Sequence, residues 1–336
     1  MKVGLIGAGR QGWRRAEAVN EVQGAELAVV ADVDLDAARS LAKQMACEAT
    51  DDWRDVVARN DLEAVIVTAP NHLHAPMCIG ALRRGKHVLC EKPLAREPEE
   101  AKQIVDTARE NKVKLKCGFN LRHHPGIQQA KQWFDGRAIG QLMFLRCRYG
   151  MCGRPGYEKE WRAKHEFSGG GELIDQGVHV LDLFRWFAGD FAEVAGFTST
   201  VFWDVSPVED NAFGLLRTEE GQIASLHVSW TQWKNLFSFE IYGKDGYIVV
   251  EGLGGTYGVE RAALGKRSFV EPFREESVDF RGEDRSWVDE WREFVTAVSE
   301  NREPLGNGVD GLESQRLVHA LYQSARTGHV VLLSKK

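Results

Sequence analysis

The chain lacks any apolar run approaching the ~18 residues that a membrane-spanning helix needs. It also lacks a basic excess: 43 Lys and Arg stand against 49 Asp and Glu, for a net charge of -6. A spanning segment is therefore not expected, nor an electrostatic footprint for nucleic acid or an anionic membrane. The six cysteines, at 47, 78, 90, 117, 147 and 152, form no C-x-x-C pair and no Cys/His spacing typical of zinc, so reduced thiols are the expectation. Met1-Lys2 leads straight into an apolar strand, without the charged, apolar and small-residue regions of a signal peptide, which points to a cytoplasmic protein. Neither an internal repeat nor a low-complexity linker is present. What remains is a chain of 336 residues, 43% hydrophobic and 27% charged, whose length suggests two domains.

The first strand runs into a glycine pattern, Gly7-Ala8-Gly9-Arg10-Gln11-Gly12. In such a pattern Gly7 allows the tight turn, Gly9 lets the backbone approach a pyrophosphate, and Gly12 lets the following helix pack close to the strand. The helix N-terminus then favours the phosphates. Asp32 ends a second apolar run, where its carboxylate can accept both hydroxyls of the adenosine ribose. That acid, followed by Val33 and Asp34, favours NAD over NADP, with Arg10, Arg14 and Arg15 as the residues that argue the other way. Arg10 and Gln11, inside the loop, belong to the same expected cofactor site.

Short apolar strands and helical stretches alternate over the first third, which predicts a Rossmann-type doubly wound parallel sheet in residues 1–121. Expected strands lie at 26–31, 64–68, 87–90 and 113–118, with helices at 10–20, 35–45, 51–59, 75–84 and 98–111. From Pro125 the pattern changes. Alternation of period two beyond Glu193 predicts that residues 122–336 form an α+β domain with a large open, mainly antiparallel sheet. Phe197, Val201, Trp203, Phe213, Leu215, Leu226, Val228, Trp230, Phe237, Phe239 and Ile241 read as its buried face. Phe202, Leu216, Thr231, Tyr242, Thr198, Thr200 and Ser229 read as the other face, too apolar to leave to solvent. A homodimer or homotetramer joined through this sheet is expected.

Two clusters carry proton chemistry. Lys92, in Cys90-Glu91-Lys92-Pro93-Leu94, follows a strand where a doubly wound sheet places its ligands, and its ammonium can stabilise a developing alkoxide. In Gly169-Gly170-Gly171-Glu172-Leu173-Ile174-Asp175-Gln176-Gly177-Val178-His179, Asp175 and His179 stand four residues apart on a predicted helix, so both can touch one small molecule. Histidine titrates near neutrality and suits taking a proton from an alcohol and returning it.

The motifs GAGRQG, APNHLH, CEKPLA, GFNLRHHP and GGGELIDQGVHVLD, in this order, resemble the glucose-fructose oxidoreductase/inositol dehydrogenase (Gfo/Idh/MocA) family. The likeness covers most of the chain and is strongest over the first 190 residues. It implies reversible oxidation of a secondary alcohol on a sugar, cyclitol or sugar nucleotide, with NAD as cofactor and no metal. By resemblance Lys92 polarises the reacting oxygen, Asp175 positions it, and His179 is the general base. Asn71, His74, Glu91, Lys92 and Asn120 match positions lining the nicotinamide half, and Trp161-Arg162 a pair brought over the cofactor. Arg122, His123, Tyr157 and His165 are the candidates for recognising the rest of the substrate. The histidine pairs 72/74 and 123/124 have no accompanying carboxylate or thiol pattern and do not read as a metal site. Two other readings remain open on sequence: an NAD-dependent glycosidase working by transient oxidation, and a non-catalytic nucleotide-sensing regulator. Arg154, Lys159, Arg162 and Lys164 could meet a sugar-nucleotide diphosphate.

Overall fold

The computed structural model describes residues 1–272 and 274–333. The chain divides into two compact units: Met1–Asn120 with Arg285–Gln315, and Leu121–Asp284 with the chain from Arg316 onward. Among the described residues no helix is long and apolar enough to cross a membrane.

The first unit holds a six-stranded parallel sheet. Its strands are β1 (Lys2–Ile6), β2 (Glu26–Ala31), β3 (Glu48–Thr50), β4 (Ala64–Val67), β5 (His87–Glu91) and β6 (Leu115–Gly118), in the order β3-β2-β1-β4-β5-β6. The expected doubly wound architecture is present. β4 is buried along its whole length, as a strand covered on both faces must be. β3 was missed by the sequence reading because it is three polar or small residues at the sheet edge, with no apolar period to see. The helix Leu35–Met45 begins where its pattern predicts, since Asp34 accepts the N–H groups of Asp36 and Ala37.

The sequence reading places everything after residue 121 in the second domain, but Arg285–Gln315 belongs with the first unit. The reason is apolar packing and charge together. Trp291 and Phe294, from the helix Ser286–Ser299, are fully buried in one cluster with Val3, Leu5, Ala16 and Leu89. Glu290, on the same helix, pairs with the buried Arg15 at 2.6 Å.

The second unit is built on a nine-stranded mixed sheet. Its strands are β7 (Leu142–Gly150), β8 (Glu193–Ser199), β9 (Asn211–Arg217), β10 (Ile223–Ser229), β11 (Leu236–Gly243), β12 (Gly246–Glu251), β13 (Glu260–Lys266), β14 (Glu275–Phe280) and β15 (Val331–Leu332). They run in the order β14-β13-β12-β11-β7-β10-β9-β8-β15. Every pairing is antiparallel except β7 with β10. The helix Val178–Ala188 lies on one face, where Phe184 and Phe187 reach Phe239 with ring centroids 6.1 and 5.2 Å apart.

The face assignment from sequence holds for β10 and β11 and is inverted in β8 and β9. Leu226, Val228, Phe237, Phe239 and Ile241 are buried as expected. Phe197, Phe213 and Leu215, however, are 73%, 48% and 56% exposed, and Leu216 is buried. The cause is glycine. On the inner side, Gly196 and Gly214 leave room for Leu321, whose methyl would lie 3.0 and 3.1 Å from a Cβ at those positions. The true core face thus reads as blanks in the sequence while the outer face carries the large side chains. Val201, Phe202 and Trp203 lie beyond the end of β8 and outside any strand.

Candidate active site

The glycine loop leaves β1 between the ends of its two neighbours. The Gly7 N–H donates to Ala31 O at 2.8 Å, and the Thr68 hydroxyl donates to Gly7 O at 2.8 Å. Gly7 has φ of +107°, a region an L side chain rarely adopts, and a Cβ on Gly12 would lie 2.0 Å from Gly7 O. These two glycines are required by the protein's own packing. Gly9 is not: a Cβ there would meet nothing within 4 Å, so a side chain would project into open space beside the start of the helix Arg10–Glu21. That helix has no side-chain cap and no acid in its first turn, so the partial positive charge of its N-terminus suits an anion. Asp32 accepts the N–H groups of Ala8 at 2.7 Å and Asp34 at 3.0 Å, one on each oxygen, which orients the carboxylate and leaves further lone pairs for a ribose diol. The residues therefore fit an adenine dinucleotide. Arg10 is exposed at the same turn, and Gln11 has a buried side-chain oxygen with no partner among the described residues.

Around Lys92 the chain is clamped from both sides. The Lys92–Pro93 peptide is cis. His74 is buried with Nδ1 2.8 Å from Pro93 O and Nε2 2.8 Å from Ala69 O, so it braces the loops after β4 and β5. Burial pushes its pKa down, against the pull of the two carbonyls. Glu91, also expected on the cofactor, points instead into a charged network: Arg15 donates to it at 2.7 Å and to Glu290 at 2.6 Å. Lys116, buried, lies 3.8 Å from Glu290 and 3.3 Å from Glu293. Arg15 is thus a structural residue and not a candidate for a ribose 2'-phosphate. Asn120 is buried and donates to the Ser286 hydroxyl at 3.0 Å, and Asn71 is buried in the short turn Asn71–Leu73.

In the second unit, Asp175 lies in a π-helical turn, Leu173–Gly177, that runs directly into the α-helix carrying His179. The sequence does not announce this wider turn, a feature frequent at functional sites. Asp175 lies 3.7 Å from Arg162, whose guanidinium sits over the Trp161 ring at 4.4 Å. His179 is buried.

Three tyrosines, the buried Tyr157 and the half-buried Tyr149 and Tyr257, feel the charge of Asp175 and Glu172. Burial pushes the Tyr149 and Tyr157 phenols up, with Asp175 and Glu172 adding to the effect, and pushes Tyr257 up to about 12. All three are neutral hydroxyls near pH 7. Tyr157 also packs edge-on to Trp230, ring centroids 4.5 Å apart, in a small core with Val205 and Val208. Tyr149, Glu172 and Tyr257 were missed from sequence; the one cue was the glycine-rich stretch 252–258 around Tyr257.

The other expected substrate contacts are placed differently. Arg122 forms two bonds to Asp182, 2.7 and 2.6 Å, beneath the Trp186 ring. The pair is buried, so Arg122 holds the helix Val178–Ala188 in place. His123 is buried and His165 exposed. His124, next to the expected pair, lies 3.0 Å from Glu260. Arg154 is bound twice by Glu160, at 2.7 and 2.6 Å, which with the Arg162–Asp175 pair uses two of the four cations weighed for a diphosphate.

Residues 1–119 match the family described as "Oxidoreductase family, NAD-binding Rossmann fold", and residues 127–249 match the GFO/IDH/MocA C-terminal domain. Levoglucosan dehydrogenase of Pseudarthrobacter phenanthrenivorans is 30% identical over 66% of this chain and 64% of its own length. Inositol 2-dehydrogenase of Rubrobacter xylanophilus is 27% identical over 97% of this chain and 91% of that protein. A solved levoglucosan dehydrogenase in complex with NADH superposes with a TM-score of 0.92 at 25% identity, covering 100% of both chains.

Proposed function

This chain belongs to the Gfo/Idh/MocA family of NAD-binding oxidoreductases, and on that premise we propose that it oxidises, reversibly, a secondary alcohol of a neutral sugar or cyclitol. The observation that carries the substrate class is what lies around Asp175: the Arg162 guanidinium at 3.7 Å, His179 one turn along the same helical segment, and the hydroxyls of buried Tyr157 and half-buried Tyr149 and Tyr257. Such a set of neutral donors and one acid suits a polyol. The pairing of Arg154 with Glu160 and of Arg162 with Asp175 favours this over a sugar nucleotide. The relatives named for levoglucosan and inositol support the same class.

The nicotinamide cofactor, when bound, supplies hydride exchange; Gly9, the uncapped helix start and Asp32 would hold its adenosine diphosphate half. His179 takes the hydroxyl proton and returns it in the reverse direction. Lys92 stabilises the charge that develops on that oxygen, and Asp175 orients it. Exposed Phe197, Phe213 and Leu215 form an apolar outer sheet face, which supports assembly as a homodimer or homotetramer through it. The test is a panel of sugars, cyclitols and sugar nucleotides incubated with NAD, read by NADH absorbance. Reduction of NAD by a sugar or cyclitol is expected. Turnover of sugar nucleotides alone, or glycoside cleavage without net NADH, would overturn the substrate class or the reaction.

A further inference from the structure

We propose that Glu209 is a positioning residue for Asp175 and His179: it fixes the start of the helical segment that carries both. The proposal rests on the reading of those two residues given above. Glu209 belongs to the turn before β9, far from that segment in sequence. Its side chain is buried. One carboxylate oxygen accepts the Gly171 N–H at 3.0 Å; the other accepts the Leu173 N–H at 2.9 Å and the Tyr322 hydroxyl at 2.8 Å. The Glu209 backbone carbonyl accepts the remaining N–H in the run, that of Glu172, at 3.0 Å.

The first N–H groups of a helical segment have no partner within it and are normally satisfied by a local cap. Here no side chain caps the Leu173–Gly177 turn locally, and one remote residue takes three consecutive N–H groups. The rotation and axial position of the segment are therefore set by Glu209. The glycine run is explained by the same contact. A Cβ on Gly171 would lie 1.9 Å from Glu209 O, and one on Gly170, at φ of +157°, would lie 2.2 Å from the Tyr322 hydroxyl. These glycines admit Glu209 and Tyr322 to the backbone. Asp175 follows Leu173 by two residues and His179 by six, so a shift at the start is carried into both side chains. A carboxamide is no substitute, because each oxygen already faces a donor and an NH2 group would have to oppose one of them.

The test is Glu209→Gln in the full-length protein, with two readouts. Amide hydrogen exchange needs no substrate: exchange across 171–179 is expected to rise at least tenfold, with the glycine loop unchanged. Turnover of whichever polyol the panel identifies is expected to fall 10- to 100-fold in kcat, the range for displacements near 1 Å, with the Kd for NAD within twofold. In a background lacking both side chains, Asp175→Ala with His179→Ala, the same change should cost less than threefold, since it acts through groups already removed. Unchanged exchange, a normal kcat, or an equal loss in both backgrounds would overturn the proposal. Near-normal turnover by His179→Ala alone would sink the base assignment, and exchange would still judge Glu209. If Glu209→Gln does not fold, Tyr322→Phe, which removes one donor from the same carboxylate, is expected to raise exchange over the same residues about threefold. No change there overturns the proposal as well.

Discussion

Placing alanine at Gly9 and at Gly12 separates a glycine required by a ligand from one required by the fold. At Gly12 the added Cβ would lie 2.0 Å from Gly7 O, a backbone atom that cannot swing away. Overpacking of that kind costs about 1–3 kcal/mol or more. With roughly 2–4 °C per kcal/mol for chains of comparable size, Gly12→Ala should lower the apo melting temperature by several degrees. At Gly9 nothing lies within 4 Å and φ is -71°, comfortable for alanine. The reduced freedom of the unfolded chain and the weaker helix cap nearly offset each other, so apo stability should move by no more than about 0.5 kcal/mol. NAD then discriminates. At a hundred times its Kd it stabilises the unmodified protein by about 2.7 kcal/mol; if the methyl weakens binding a hundredfold, the same concentration gives about 0.4 kcal/mol. Thermal melts with and without NAD measure all of this. A Gly9→Ala protein that keeps the full NAD-induced shift, or one as destabilised without NAD as Gly12→Ala, would refute the reading of this loop.

Lys92→Ala and His179→Ala should each lose on the order of 100- to 10,000-fold in kcat while keeping NAD affinity, by steady-state kinetics and calorimetry; near-normal turnover removes the role of that residue. NAD should bind more tightly than NADP, and Asp32→Ala should narrow the ratio at least tenfold, whereas tighter NADP binding by the unmodified protein would contradict the assignment of Asp32. Arg15→Met leaves Glu91 and Glu290 buried without their shared cation, and should cost about 3–5 kcal/mol in urea unfolding; a loss below about 1 kcal/mol would show that the network is not holding this unit. Light scattering at micromolar concentration should give two or four times the mass of one chain, and Leu215→Arg should lower it. A single-chain mass removes the assembly, and an oligomer that survives the arginine has its contact elsewhere.

The nucleotide unit was legible because its strands other than β3 contain short apolar runs and a helix such as Leu35–Met45 has a local start signal at Asp34. Asp32 and the three glycines follow from the same local grammar. The remaining site residues depend on partners distant in sequence, which no local pattern reveals. Nothing near Arg15 or Glu91 points to Glu290, and nothing near Arg122 tells a substrate contact from a clasp on Asp182. The inverted face of β8 and β9 failed for the opposite reason: a pattern was present, but glycines on the buried side transferred the hydrophobic signal to the outer one.

The split origin of the first unit also sets a schedule for biosynthesis. When Asn120 leaves the ribosome, all six parallel strands exist, yet Arg15 has only one of its two carboxylates, and the surface that Trp291 and Phe294 will cover is bare. The missing piece ends at Gln315, about 195 residues later. At the usual 5–20 residues per second, the nascent sheet waits roughly 10–40 s with an apolar flank and with Arg15 paired to Glu91 alone. During that interval the whole second unit up to Asp284 is being made, so the unit that starts first is finished late, and the nascent chain in between is the form most in need of a chaperone.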